Sequence, residues 1–335
     1  MSGPIWISEQ DVVSMLDMAE AIQALENGLL AEARGEAANM VKTHAEWGQG
    51  ATLHAIGAVF PQAGFVGTKT WAHTEGGATP LLILFDSNAG KLLAIIEAFA
   101  LGQMRTGGAS GVATRRLAAG HAEECAIIGT GKQALPQLAA VLAVRSIRRV
   151  RVFGRDLARR DAFIQRVKSE LGIDAAAATS ISDAVRDVPI VTVVTRATQP
   201  IVNAAMLGPG THINAVGAIV PSRAELAADV LARASVVVAD SLPQAQKLSR
   251  EMIEFFGQDA AGWKDVISLA TLVASPHKRA ATDDLTVFKS LGMGISDLSL
   301  GIELYRRALE KGLGREFPHP QKVAPRLRAT QSTGA

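Results

Sequence analysis

The chain has 335 residues, 48% of them hydrophobic and 20% charged, with a formal net charge of +2. Its length exceeds what one hydrophobic core usually organises, so two domains are expected. The balanced charge offers no basic excess for nucleic acid or acidic lipid, which leaves a small molecule as the expected partner. The single cysteine, Cys125, has no partner for an internal disulfide and lies in an apolar run away from other metal-ligand types; this fits the cytosol and excludes a disulfide-stapled fold. The chain starts without a basic and apolar leader, and its apolar runs are broken by Gly, Pro and charge, so neither export nor a membrane span is expected.

In chain order, Ser8 with Asp11 and Asp17 with Glu20 each place a capping oxygen three residues before an acid, and Ile22, Leu25 and Leu29 follow at helical spacing. The chain therefore opens with helices. Between residues 52 and 96, β-rich runs at 64–70, 80–85 and 91–96 are parted by turn residues such as Asp86-Ser87-Asn88-Ala89-Gly90, the pattern of an antiparallel sheet. From Cys125 onward, continuously apolar runs at 125–128, 150–153, 190–194, 213–216 and 236–239 alternate with helical stretches, as a parallel sheet covered on both faces requires. A helical end starts near Ser296, and the small, polar tail 330–335 is expected to be loose.

The run 125–128 leads into Gly129-Thr130-Gly131-Lys132-Gln133-Ala134, with a helical stretch from Leu135. The glycines permit a tight turn and close backbone approach to a pyrophosphate, Ala134 lets helix and strand pack, and the helix start offers free N–H groups. The second apolar run ends at Phe153, where the ribose-recognising residue of a dinucleotide site belongs. There Arg155 precedes Asp156; an arginine pairs with a 2′-phosphate, so NADP(H) is favoured and NAD(H) possible. The seven histidines are scattered without a metal-binding spacing, and no GxSxG turn is present, so neither a metal site nor a serine nucleophile is expected.

Four segments resemble ornithine cyclodeaminase and mu-crystallin proteins: Gly67-Thr68-Lys69-Thr70; Gln103-Met104-Arg105-Thr106-Gly107-Gly108-Ala109-Ser110; Gly210-Thr211-His212-Ile213-Asn214-Ala215-Val216-Gly217; and Thr286-Val287-Phe288-Lys289-Ser290-Leu291-Gly292-Met293. The resemblance implies an α/β protein in which a Rossmann-type doubly wound parallel sheet, residues 121–295, is inserted in an α+β substrate-binding and dimerisation domain, residues 1–120 plus 296–335. It implies a homodimer joined through the sheet region. By position it makes Lys69 and Arg105 ligands of a substrate carboxylate, a role that suits a bidentate fork beside a second positive charge. Thr79, Thr195, Val216, Gly217 and Ser290 match positions that line the cofactor, and His212 and Asn214 read as structural. Asp297 matches an acid common in the family, with an N-terminal helix cap as the alternative.

The pattern departs at three places. Cyclodeaminases of this kind carry a catalytic aspartate where this chain has Ile219, the early substrate-binding arginine corresponds to Lys42, and the glutamate expected before the sheet's proline has no counterpart near Pro61. Cyclising ornithine needs acid–base groups at several steps, whereas reducing a preformed cyclic imine needs one hydride and one proton. The expectation is thus an NAD(P)H-dependent reductase of Δ1-pyrroline-2-carboxylate or Δ1-piperideine-2-carboxylate. Ile219 gives it an apolar wall, Lys42 helps to bind substrate, and Lys69, His44 or His54 relays the proton. An ornithine or lysine cyclodeaminase, an alanine-dehydrogenase-like or opine-type enzyme, and a non-catalytic NADPH-dependent binding protein remain alternatives.

Overall fold

The structure is a computed structural model that describes residues 3–276 and 279–328; the tail at 330–335 lies outside the described residues. Its first sheet is built from β1 (Ile5–Ile7), β2 (Ala38–Asn39), β3 (Thr43–Trp47), β4 (Ala51–Phe60), β5 (Phe65–Thr74), β6 (Gly77–Ala78), β7 (Leu81–Asp86) and β8 (Leu92–Glu97). The order β1-β8-β7-β5-β4 forms its spine, antiparallel except for the β1–β8 pair. Ser8 and Asp17 cap helices α1 (Glu9–Met15) and α2 (Met18–Ala33), each in a reciprocal box with its acid, as the spacing predicts. Helix α3 (Phe99–Leu117) then leads to the second sheet.

That sheet contains β9 (Glu124–Ile128), β10 (Arg149–Phe153), β11 (Asp174–Ala177), β12 (Ile190–Val193), β13 (Thr211–Ala215), β14 (Val236–Ala239), β15 (Val266–Ser268) and β16 (Leu285–Lys289). Every pair is parallel, in the order β11-β10-β9-β12-β13-β16-β14-β15. Helices α4 (Ala134–Leu142) and α5 (Leu157–Leu171) connect the first three strands. The chain builds outward from β9 to β11 and restarts at β12 on the other side of β9, so the switch point lies between β9 and β12.

Five short helices follow: α6 (Ile181–Val185), α7 (Ala228–Arg233), α8 (Leu242–Leu248), α9 (Arg250–Phe256) and α10 (Leu269–Ala274). Helix α11 (Gly294–Lys311) then returns to the first sheet, where its Leu298, Leu300 and Ile302 share a core with Leu82, Leu84, Ala94 and Ile96. A last strand, β17 (Arg315–Glu316), pairs with β1. The alternation of buried and half-buried residues along β7 and β8 presents one face to α11, as a period of two dictates.

Several strands were not expected from the residues. Strand β3 is exposed along its whole length and so has no apolar alternation to read. The alanine-rich β11 and the three-residue β15 lie at the two edges of the parallel sheet, where a continuous apolar run is not needed.

Candidate active site

Alternation along β5 turns Gly67 and Lys69 to the buried face, so the Lys69 ammonium enters the space between sheet and helices with only 4% of the residue exposed. There its Nζ meets Oδ1 of the fully buried Asp297 at 2.5 Å, and Arg105 Nε from α3 reaches the same oxygen at 3.2 Å. The cap position of α11 is Met293; Asp297 lies one turn inside the helix and holds Lys69. The capping alternative is therefore overturned, because the carboxylate is committed to two cations.

Burial pushes the Lys69 pKa down to about 8, with Asp297 opposing the shift and Arg105 adding to it. Lys42, just before β3, has its pKa lowered by burial and then by Arg105, while Asp240 and Asp297 oppose. The three cations expected to bind substrate thus share one electrostatic neighbourhood. Asp297 Oδ2 has no hydrogen-bond partner among the described residues.

His44, His54 and Trp71 are register partners across β3, β4 and β5. They stack with ring centroids 5.7 Å and 4.6 Å apart, and Lys69 Nζ sits 5.1 Å from the Trp71 ring centre. His54 Nε2 lies 2.8 Å from Thr52 Oγ1, while its buried Nδ1 has no partner among the described residues. Burial, then Lys42, lowers the His54 pKa to about 4, so the ring is neutral at neutral pH and stores no proton there. His44 is exposed and 3.6 Å from Glu46.

At the switch point, Gly129 has φ +109°, and a methyl there would fall 2.5 Å from Val194 O. Only glycine allows this turn. The position beside Gly131 is open space, and no side chain caps the start of α4, so the turn fits a pyrophosphate. Lys132 projects from it over the Phe99 ring, 5.9 Å from its centre. Thr79 is exposed and precedes Pro80, whose carbonyl accepts from Ala98 N.

Arg155 is exposed beyond β10, but Asp156 caps α5 through Arg159 N at 3.0 Å. The acid is thereby occupied locally. Along the strand ends, Thr195 Oγ1 donates to Glu225 and Ser290 Oγ donates to Asp240. Two of the expected cofactor-lining hydroxyls are thus tied to buried carboxylates that no local spacing singles out. Asp240 also accepts from Leu291 N and Gly292 N at 2.9 and 2.8 Å, and a methyl on Gly292 would lie 3.1 Å from Arg105 Nη1. Val216 and Gly217 follow directly on β13, and half-buried Ile219 comes two residues later. His212 bonds Thr286 and Asn214, and Asn214 bonds Thr114, so this pair is structural as expected.

Among the described residues no His, Cys, Asp and Glu cluster suits a metal ion, and no helix is long and apolar enough to cross a membrane.

A glycine turn at the switch point of a parallel sheet, beside cations gathered on one buried carboxylate, defines the frame of a dinucleotide-dependent oxidoreductase. Residues 5–312 match the Ornithine cyclodeaminase/mu-crystallin family, and the chain belongs to that family. It is 33% identical over 271 residues to the Delta(1)-pyrroline-2-carboxylate reductase of Bacillus cereus, covering 79% of this chain and 81% of that one. The ketimine reductase mu-crystallin of Mus musculus is 32% identical over 217 residues, 65% of this chain and 66% of that one. The solved Thermococcus litoralis Delta(1)-pyrroline-2-carboxylate reductase, in complex with NADH and L-proline, superposes with a TM-score of 0.87 at 29% identity, covering 93% of this chain and 100% of that one.

Proposed function

We propose that this enzyme reduces Δ1-pyrroline-2-carboxylate to L-proline, and its six-membered homologue to L-pipecolate. The observation that carries the reading is Ile219, which stands where the cyclodeaminases need an acid, in a chain that keeps a cationic seat of Lys69 and Arg105 aligned by Asp297. When bound, the reduced nicotinamide supplies hydride to the ring carbon that bears the carboxylate. The guanidinium of Arg105, helped by Lys42, holds that carboxylate and so fixes which face of the C=N bond is presented. Lys69 carries a proton at Nζ that its lowered pKa makes easier to release to the imine nitrogen. Ile219 excludes water from the ring, and neutral His54 offers Nδ1 as a further hydrogen-bond partner.

Four features support finer readings. Arg155 lies exposed just beyond β10 while Asp156 is occupied as a cap, favouring NADP(H). The relatives leave NAD(H) as the alternative, since the Thermococcus enzyme binds NADH. Val41, Trp47, Leu53 and Val59 expose apolar surface on or beside the first sheet, where a homodimer would be joined. Helix α11 packs on that sheet, which favours grouping residues 1–120 with 296–335 as the substrate domain around an inserted 121–295. A buried single thiol suits the cytoplasm.

The test is loss of NADPH and NADH absorbance with Δ1-pyrroline-2-carboxylate, beside L-ornithine plus NAD assayed for ammonia. Cofactor oxidation with the imine and no ammonia from ornithine is expected; the reverse result refutes the reading. Likeness to the Alanine dehydrogenase of Archaeoglobus fulgidus, 30% over 321 residues, favours a second reading, which pyruvate plus ammonia as substrates tests directly.

A further inference from the structure

Beside the glycine turn, a methyl on Gly129 would come within 2.5 Å of Val194 O and 3.2 Å of Thr195 Cγ2. The seat for the pyrophosphate therefore adjoins the end of β12. A dinucleotide whose adenosine half lies over β10 has its other half over the C-terminal ends of β12 and β13, just beyond which lie Thr195 and Gly217. One fully buried carboxylate holds both ends. Glu225 Oε1 accepts from Thr195 N at 2.6 Å and Thr195 Oγ1 at 2.8 Å, and Oε2 accepts from Gly217 N at 2.7 Å and Ala218 N at 3.1 Å. The approach is so close that a methyl on Gly217 would sit 2.0 Å from Thr195 O and 2.4 Å from Glu225 Oε1.

Glu225 is itself fixed from behind. Glu251 Oε2 accepts from Glu225 N at 2.7 Å and Leu226 N at 3.0 Å, while its Oε1 pairs with Lys289 Nζ at 2.6 Å. All three charged residues are at most 4% exposed. Burying two carboxylates against one ammonium is unfavourable relative to an apolar core of equal volume, so the arrangement is explained by what it holds in place. Four donors converge on Glu225, two on each oxygen. Glutamine cannot replace it, because its NH2 group would face one pair of donors with a third.

We propose that Glu225 is a positioning residue for the nicotinamide half of the cofactor. It turns the amides of Thr195, Gly217 and Ala218 inward, locks two strand ends in one register, and fixes the backbone from which Ile219 projects. It acts through Thr195 and Gly217 and touches neither ligand.

The inference rests on the dinucleotide reading, and calorimetry separates the two. Wild type is titrated with the reduced dinucleotide it binds better, NADPH or NADH, and with the matching fragment that lacks nicotinamide, ADP-ribose or its 2′-phosphate. If wild type binds neither, the dinucleotide reading itself fails. In Glu225→Gln, the dinucleotide is expected to bind at least tenfold more weakly, with the fragment within twofold of wild type. Equal weakening of both ligands in a protein that melts at the wild-type temperature, or no weakening of either, overturns the proposal. Should Glu225→Gln fail to fold, Thr195→Val decides, since it removes one donor and leaves the carboxylate: a severalfold loss confined to the dinucleotide supports the proposal, and an unchanged or parallel response refutes it.

Discussion

Replacing Asp297 by Asn leaves the shape of the cationic seat and removes its negative charge. At the 2.5 Å separation of Lys69 Nζ and Asp297 Oδ1, and an effective dielectric of about 20, the lost attraction is about 7 kcal/mol, equivalent to ~5 pH units. That is a ceiling, because Asn keeps an acceptor for Nζ. An opposite charge at such a distance typically moves a pKa by about one to three units. Lys69 titrates at about 8 in the wild type, where Asp297 raises it against burial; the variant loses that support and its value falls. A site that needs the ammonium works below this pKa and loses activity as pH rises through it. The basic limb of kcat/KM is therefore expected near pH 8 in wild type and about one to three pH units lower in Asp297→Asn. The assay is cofactor oxidation with Δ1-pyrroline-2-carboxylate across pH 5 to 10, so that titration of the substrate cancels between the two proteins. A uniform loss of rate at every pH, with the limb in place, would refute the assignment of that limb to Lys69.

Other perturbations probe separate parts of the molecule. Arg155→Ala is expected to weaken NADPH about tenfold or more, from loss of a charge-assisted contact, and to leave NADH nearly unchanged; equal binding changes for both would remove the 2′-phosphate assignment. Gly129→Ala forces a methyl toward Val194 O at a backbone angle of φ +109°, and a loss of about 2–4 kcal/mol in urea unfolding is expected, with dinucleotide binding abolished. Lys289→Met leaves Glu251 buried without its cation, and about 3–5 kcal/mol of stability should go with it; a midpoint within error of wild type would show that this pair is already compensated elsewhere.

What the residues reveal in advance depends on how local the cause is. The caps at Ser8 and Asp17 and the turn at Gly129 act within a few residues, so their chemistry is written in short spacings. The inner parallel strands are legible because burial on both faces demands unbroken apolar runs. Lys69 and Arg105 were placed by resemblance, since nothing in their neighbours distinguishes them from solvated charges. Their partner Asp297 lies 228 residues from Lys69, and a separation of that kind has no signature in spacing. Glu225, Glu251 and Asp240 look like loop acids until the fold buries them.

Helix α11 carries a consequence for how the molecule is made. All strands of the first sheet but the terminal β17 are complete by Glu97, yet Leu298, Leu300 and Ile302, which cover their apolar face, lie near the other end of the chain. A ribosome thus releases an uncovered sheet first and its lid last, with the whole parallel sheet synthesised between them. The parallel sheet can close as soon as β16 emerges, while the earlier segment stays dependent on chaperones or on transient self-cover until translation has nearly ended. The ion pairs of Asp297 with Lys69 and Arg105 are among the last contacts the nascent protein can make.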